Sequence, residues 1–350
     1  MAPTNSRPVY GVYTDDMLAF LVRRVVLGFL VLVVLSLGSF CFFAWQDPRL
    51  SPVGAPHPSL LAEYWTWLKG LGGGASSDML LYATAPTRLN RQPTTMLAAL
   101  GHTTVLLALA LALVVVLSIA LSLVAASRRG SALDLTLRAL SYLAWAVPAF
   151  LLALLVQVLA NSVGGTRGIG SFPLAGWPGS CPTGLGVNAG ILTPCPAAGT
   201  GVRYALNVAR YVTLPAATLA VGFVGLHARY LRSALLEVLD APFVTTARAK
   251  GLRERTVLVR HALRASLVTF VGALLADFGA VFGSAMAVDY VFQLNGLGTV
   301  FMSEFPVDFG FVDTYSIEPV LLLTAVLIIV SSIVADLAIL WLDPRVREVK

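Results

Sequence analysis

The apolar and polar positions of this chain do not alternate with a period of two. They fall into long apolar blocks separated by polar segments. A helix needs about 20 mostly apolar residues to cross about 30 Å of hydrocarbon. Six blocks are of about this length, at 25–45, 103–127, 139–160, 211–228, 265–288 and 319–342. The first has no charge. The third holds Pro148 and Gln157, and the fourth holds Pro215 between Arg210 and Arg229. The fifth carries Asp277 in its middle and the sixth carries Asp336 near its end. Pro148 and Pro215 are expected to kink their helices, as proline does in membrane spans whose neighbours re-satisfy the freed backbone groups. The pattern predicts an all-α integral membrane fold with six spans, and no run of alternating β-barrel segments is seen.

Composition agrees. Hydrophobic residues make up 57% and charged residues 12%, whereas soluble domains carry about 25% charged residues. With a mean hydropathy of +0.81, a soluble enzyme, a disordered chain and a fibrous repeat are excluded. The net charge of +6 raises nucleic-acid binding as one reading. The distribution of the basic residues removes it. Lys and Arg number three in 1–24, three in 128–138, eight in 229–264 and three after Leu342, against four in 46–102 and three in 161–210. The split of 17 to 7 places both termini in the cytoplasm by the positive-inside rule. The expected organisation is a cytoplasmic N-terminal segment 1–24, a six-span unit 25–342 and a cytoplasmic tail 343–350. Its outer loops are 46–102, 161–210 and 293–318, and its large inner loop is 229–264. Arg23 and Arg24 precede the first apolar block as in a signal peptide. However, the block exceeds the usual 7–15 residues and no A-x-A site follows, so it reads as an uncleaved anchor.

The outer loops differ from each other. In 58–68, Leu60, Leu61, Tyr64, Trp65 and Leu68 fall on one helical face, which predicts a helix lying in the membrane interface. The segment 161–210 is rich in Gly and Pro and lacks periodicity. It holds Cys181 and Cys195, expected to form a disulfide on the outer face, where such bonds persist.

Covalent chemistry finds no residues to perform it. The lysines are Lys69, Lys250 and Lys350, and none lies in a phosphate-cradling GxxxxGK[ST] loop. A GxSxG elbow is missing. His57, His102, His227 and His261 are too scattered for a zinc site. The chain is therefore expected to be no enzyme and to hold neither metal nor cofactor.

The informative polar segment is 229–264. Asp240 can cap a helix and Pro242 suits its first turn. The helix should run through Phe243 to Lys250, and Gly251 fits the left-handed position beyond its end. A second short helix is expected over about 254–263. The pair would form a rigid foot under the bilayer; the plainer alternative is a solvated basic loop that only sets topology.

These residues carry a family resemblance. The string FVTTARAKGLRERTVLVRHALRASL, beginning at Phe243, resembles the cytoplasmic E-A-A-x3-G-x9-I-x-L-P loop of ABC-importer permeases, in the version typical of dipeptide and oligopeptide permeases. Thr245, Thr246 and Ala247 stand at E-A-A, Gly251 at Gly, His261 at Ile and Leu263 at Leu, while Arg264 replaces Pro. MLAFLVRRVVLG from Met17, AEYWTWLKGL, VDYVFQLNGLG with Asp289 for Glu and Asn295 for Pro, and the ending LDPRVR are also similar to that family. The resemblance covers roughly 17–347, leaving 161–210 and extra length between Phe305 and Ile317 outside it.

The resemblance implies a type I importer fold and a permease subunit that forms half of a path for short peptides. Phe243, Thr245, Thr246, Ala247, Arg248, Lys250, Gly251, His261 and Leu263 would couple to an ATPase. The implied partners are a second homologous permease subunit, two ATP-binding subunits and an extracytoplasmic solute-binding protein, in a bacterial plasma membrane. ATP and Mg would be held by the partner subunits. Related permeases carry nickel chelates or other small solutes, so these stay open as cargo. Asp277 has two readings. A mid-span carboxylate marks a substrate path by default, and it also serves as a structural hydrogen bond between helices. A proton-coupled secondary transporter using Asp277 is the remaining alternative function.

Overall fold

The computed structural model of the chain describes residues 9–46, 59–72, 96–164, 172–179, 199–303 and 314–342. The described residues are overwhelmingly helical. In chain order the helices are α1 (Val9–Gln46), α2 (Leu60–Gly72), α3 (Met96–Ser127), α4 (Ala132–Ala146), α5 (Ala149–Gly164) and α6 (Gly201–Leu239). These are followed by α7 (Pro242–Ala249), α8 (Glu254–Thr256), α9 (Leu263–Ala276), α10 (Phe278–Phe292), α11 (Leu297–Ser303) and α12 (Thr314–Leu342). Among them, five helices are long and apolar enough to cross a membrane, or six when the bent pair α4–α5 counts as one span.

Two of the predicted spans are built differently. The block 139–160 is not one kinked helix: α4 and α5 meet at 96°. The cause is local. The residue before a proline is pushed out of the helical region, and Val147, before Pro148, is extended at φ −87°, ψ 119°. Pro215, by contrast, lies inside the unbroken 39-residue α6. The block 265–288 also divides, at Asp277. The candidate span is instead Glu254–Ala276, and α10 is a separate shorter apolar helix. The block 211–228 is the middle of α6, which is about 58 Å long at 1.5 Å per residue and so outreaches the hydrocarbon at one or both ends. The same helix takes in Arg229 and Arg232 from the predicted inner loop and 201–210 from the predicted outer loop.

The main core joins α3, α5, α6, α10 and α11 through Leu106, Ala110, Val114, Ala153, Ala216, Leu219, Phe282, Ala285, Phe292 and Leu297. The α3–α6 contact is rich in small side chains, which lets the backbones approach closely. α1 stands outside this core and packs on α12. Their contact is closed by two polar links: Arg24 pairs with Asp336 through two bonds of 2.7 and 2.9 Å, and the Ser39 hydroxyl donates to Glu318 at 2.7 Å. Asp336, near the end of the sixth block, therefore ties the last helix to the first.

α2 docks by an edge that shares Tyr64 with the predicted face. Tyr64 and Trp67 pack against Phe40, and the Tyr64 hydroxyl lies 3.0 Å from that of Ser36. Leu61, Trp65 and Leu68 remain exposed. The helix thus has two apolar sides, and Trp67, outside the predicted set, is the buried anchor.

Candidate functional site: the foot and the Asp277 break

The foot begins where α6 ends. Asp240 does not cap α7: it is the C-terminal cap of α6, and its exposed carboxylate lies 3.7 Å from Arg129. The N-cap of α7 is Ala241, with Pro242 in the first turn. α7 ends in a Schellman turn. Gly251 sits at φ +76°, its N–H donates to Arg248 O at 2.9 Å, and the Leu252 N–H donates to Ala247 O at 3.4 Å. That geometry matches the double bond pattern of the motif, and glycine adopts it without the Cβ penalty.

The expected second foot helix is not a separate element. α8 passes through a π-helical turn, Val257–Ala262, and runs on into α9. The foot is therefore one helix and one turn rooted directly in a membrane-spanning helix. His261 lies half-buried in the π-turn. Leu263 opens α9 and packs beside a cluster of Leu231, Leu235, Leu258 and Phe270.

The foot has a small core of its own, made by Val244, Ala247 and Val257. Ala247 was expected to lie against a partner; instead it is 7% exposed and faces this core. Phe243 is 49% exposed, and Thr245, Thr246 and Lys250 are exposed beside it. Arg248 turns back on its own loop and forms a two-bond pair with Glu254 at 2.7 and 3.1 Å. That hydrogen bond is the main reason the Arg248 pKa is raised above its already high ordinary value.

A buried ion pair braces α6 above the foot. Arg232 donates two 2.7 Å bonds to Asp134, whose side chain is 1% exposed. Asp134 also accepts from the Gly130 N–H, and its own N–H is held by Ser131, the N-cap of α4. The sequence signal was present in an acidic residue within the first turn of a helix after a Ser cap, but its partner lies 98 residues away.

Asp277 occupies the junction of α9 and α10 at φ −84°, ψ 1°. Its Oδ2 lies 3.5 Å from Nε2 of the fully buried His227. Nδ1 of His227 lies 2.9 Å from the Phe223 carbonyl. Asp277 borders a groove of about 450 Å³ between α6 and α9. A separate cavity of about 220 Å³ lies at the α4–α5 bend, lined by Trp145, Pro148, Phe223 and Ser284.

The second resembling motif, VDYVFQLNGLG, is a buried knot. Asp289, 0% exposed, accepts from the N–H groups of Gly296, Gly298 and Thr299 at 3.0, 2.7 and 3.1 Å. The Thr103 hydroxyl on α3 accepts from the Leu297 N–H at 2.8 Å. Gln157 on α5 donates to Val291 O and Leu174 O. A Cβ on Gly298 would collide with the Met286 carbonyl. Asn295 sits at φ +56°, which proline cannot adopt, so the Asn-for-Pro departure comes with a left-handed turn. Cys181 and Cys195 fall outside the described residues.

Residues 118–348 match the family of binding-protein-dependent transport system inner membrane components. The chain belongs to this family of permease subunits, multi-pass membrane proteins that work with a solute-binding protein and an ATPase and are not themselves catalytic. It is similar to the oligopeptide transport system permease protein AppB of Bacillus subtilis (strain 168), at 27% identity over 95% of this chain and 100% of that one. It is 29% identical to the dipeptide transport system permease protein DppB of the same organism, over 65% of this chain and 61% of that one. A Brucella suis biovar 1 protein with a provisional peptide-permease name is 30% identical over 87% of this chain and 85% of its own.

Proposed function

We propose that this chain is one of two permease subunits in an ATP-driven importer of short peptides, with both termini and the foot on the cytoplasmic side. The relatives named as oligopeptide and dipeptide permeases support the cargo class. The 17-to-7 charge split supports the orientation.

The observation that carries the mechanism is the construction of the foot. A protrusion transmits force only if it keeps its shape, and here a Schellman turn and an apolar core of Val244, Ala247 and Val257 hold one helix in place. The foot then continues without a break into α9, so a push on it reaches the membrane helix. Phe243 is an exposed aromatic side chain of the foot helix that a partner groove would take. Two ATP-binding subunits closing on ATP and Mg would move the foot of each permease subunit and switch the path between outward and inward access. Asp277 lines that path at the end of α9.

The test is uptake by the reconstituted complex with its ATPase and binding protein. Phe243→Ala and Gly251→Val should assemble in the membrane yet lose stimulated ATPase activity and uptake. Full coupling in both variants refutes the foot as the coupling element. Orientation is checked with Arg248→Cys: an impermeant thiol reagent added outside intact cells should leave it unlabelled.

A further inference from the structure

Three arginines converge where α3, α4 and α6 meet on the basic side of the molecule. Arg138 from α4 and Arg229 and Arg232 from α6 line a cleft there, with Ser122 and Ser141 beside them. The helices come close because α6 carries glycine at the crossing: a Cβ on Gly225 would meet the Ser141 carbonyl. The carboxylate beneath the arginines, Asp134, is already taken. It accepts two 2.7 Å bonds from Arg232 and a third, at 3.1 Å, from the Gly130 N–H. Arg138 approaches it only to 3.8 Å, beyond hydrogen-bond distance, and the Arg138 Nε is buried with no hydrogen-bond partner. Arg229 donates instead to the neutral Ser141 carbonyl at 2.8 Å. Of the other acids on this side, Asp240 lies 3.7 Å from Arg129, and Glu237 turns to the α6–α9 groove. Three guanidiniums thus crowd one saturated carboxylate.

The surroundings of this charge are apolar. Leu135 and Tyr142 stand one turn before and after Arg138 on α4, and they are 61% and 63% exposed. Leu140 and Leu143 extend the same exposed surface. The Arg229 guanidinium lies over the Tyr142 ring, 4.2 Å from its centre, so Arg138 and Arg229 flank one aromatic side chain. Basic residues and a tyrosine above an aliphatic face are the composition of a membrane–water interface. Anionic headgroups of the inner leaflet attract basic pockets between helices, and phosphate oxygens match guanidinium donors. The cleft itself is narrow, about 10 Å³, room for no more than one water. A phosphate would therefore meet the guanidiniums at its mouth, beside Tyr142.

We propose that the mouth of this cleft binds the phosphate of an anionic phospholipid, held by Arg138 and Arg229, with its acyl chains along the exposed face of α4. Arg232 and Asp134 position the two helices and do not touch the lipid. Placing the site in the inner leaflet rests on the orientation proposed above; the binding itself does not. The test is native mass spectrometry of the whole transporter, with partners, titrated in detergent with phosphatidylglycerol or phosphatidylcholine. Both lipids carry the phosphate, and only the first carries a net negative charge. The variants are Arg138→Gln, Arg229→Gln and Arg138→Lys. Arg255→Gln serves as the control, since it removes the same charge from an exposed position on the foot.

The parent should bind phosphatidylglycerol more tightly than phosphatidylcholine. Arg138→Gln and Arg229→Gln should each weaken phosphatidylglycerol by about fivefold, the scale of one basic residue at an anionic membrane surface. Arg138→Lys keeps the charge and should stay within about twofold of the parent, and Arg255→Gln should match it. An equal loss in Arg255→Gln would reduce the effect to bulk charge and overturn the site. So would a loss in Arg138→Lys as large as in Arg138→Gln. Parent-like binding in both cleft variants, the result expected if the second permease subunit covers the cleft, would overturn it as well. Displacement of the lipid by millimolar inorganic phosphate, which has no acyl chains, would replace the lipid with a soluble anion and overturn the assignment. Outside labelling of Arg248→Cys would refute the orientation and leave the headgroup selectivity standing, so the two failures are told apart.

Discussion

The foot and the 289–303 knot resemble the same family with similar clarity in sequence, yet they are built in opposite ways. The foot is held by local contacts: a turn closed by its own backbone, a three-residue apolar core, and an Arg248–Glu254 pair open to solvent. The knot is held by its own buried carboxylate and also from outside itself. Asp289 satisfies three backbone donors, α3 contributes Thr103, and α5 contributes Gln157. A coupling element must be displaced as a body, so its shape has to be self-contained. The knot instead joins three helices, and its buried polar groups are stable only while all are satisfied. If the foot couples as proposed, the difference teaches that a recognisable motif can mark either a moving part or a fixed one.

The sharpest way to break the contrast is Asp289→Ala. It leaves the buried N–H groups of Gly296, Gly298 and Thr299 without their acceptor, at about 1–3 kcal/mol for an unsatisfied group. The summed loss should approach about 3–5 kcal/mol, the scale of a severe core substitution. The solubilised chain should show a much lower melting temperature by fluorescence-detected gel filtration; a value equal to that of the parent would remove the knot from the comparison.

A charge placed in the core of the foot tests the other side. Ala247→Arg should open the foot locally, at about 1–3 kcal/mol for overpacking. Limited proteolysis should then cut near Arg253 and Arg255, while the melting temperature of the spans barely changes. A global loss of stability would show that the foot is not self-contained.

The glycines sharpen the same point. Gly298→Ala meets the Met286 backbone and should destabilise the whole chain, at the upper end of about 1–3 kcal/mol. Gly251→Ala has open space around it and should cost about 1–2 kcal/mol for the left-handed backbone, confined to the foot and read as weaker coupling. The smallest effect belongs to Glu254→Gln. It breaks an exposed pair worth about 0–1 kcal/mol, and uptake should stay near the parent value.

Much of this was legible in the chain. The apolar blocks announce membrane helices because backbone groups in hydrocarbon must bond within their own segment. Pro242 and Gly251 announce the ends of α7 because their effects on the backbone are local. What was not legible was every property that needed a distant neighbour. Ala247 is small enough for a partner surface or for a core, and only the position of Val257 decides that it faces inward. Asp240 has the chemistry of a cap, but the end of α6 takes it first. Tyr64 was placed with Trp65 on one face of α2, and Phe40 selected Tyr64 and Trp67 instead.

By itself the sequence determined the solvent, the helical class, the basic face, the left-handed turn at Gly251 and the family. These depend on composition, short-range backbone sterics and local pattern. The tertiary structure alone decided that the third block bends by 96° and that the fifth breaks at Asp277. It also decided that Asp134 is matched to Arg232 across 98 residues, that Glu318 is buried beside Ser39, and that His227 faces Asp277. Each is a pairing of polar groups brought together by helix packing. Inside an apolar medium the energy of such a group is set by the partner it meets, and chain order does not reveal that partner.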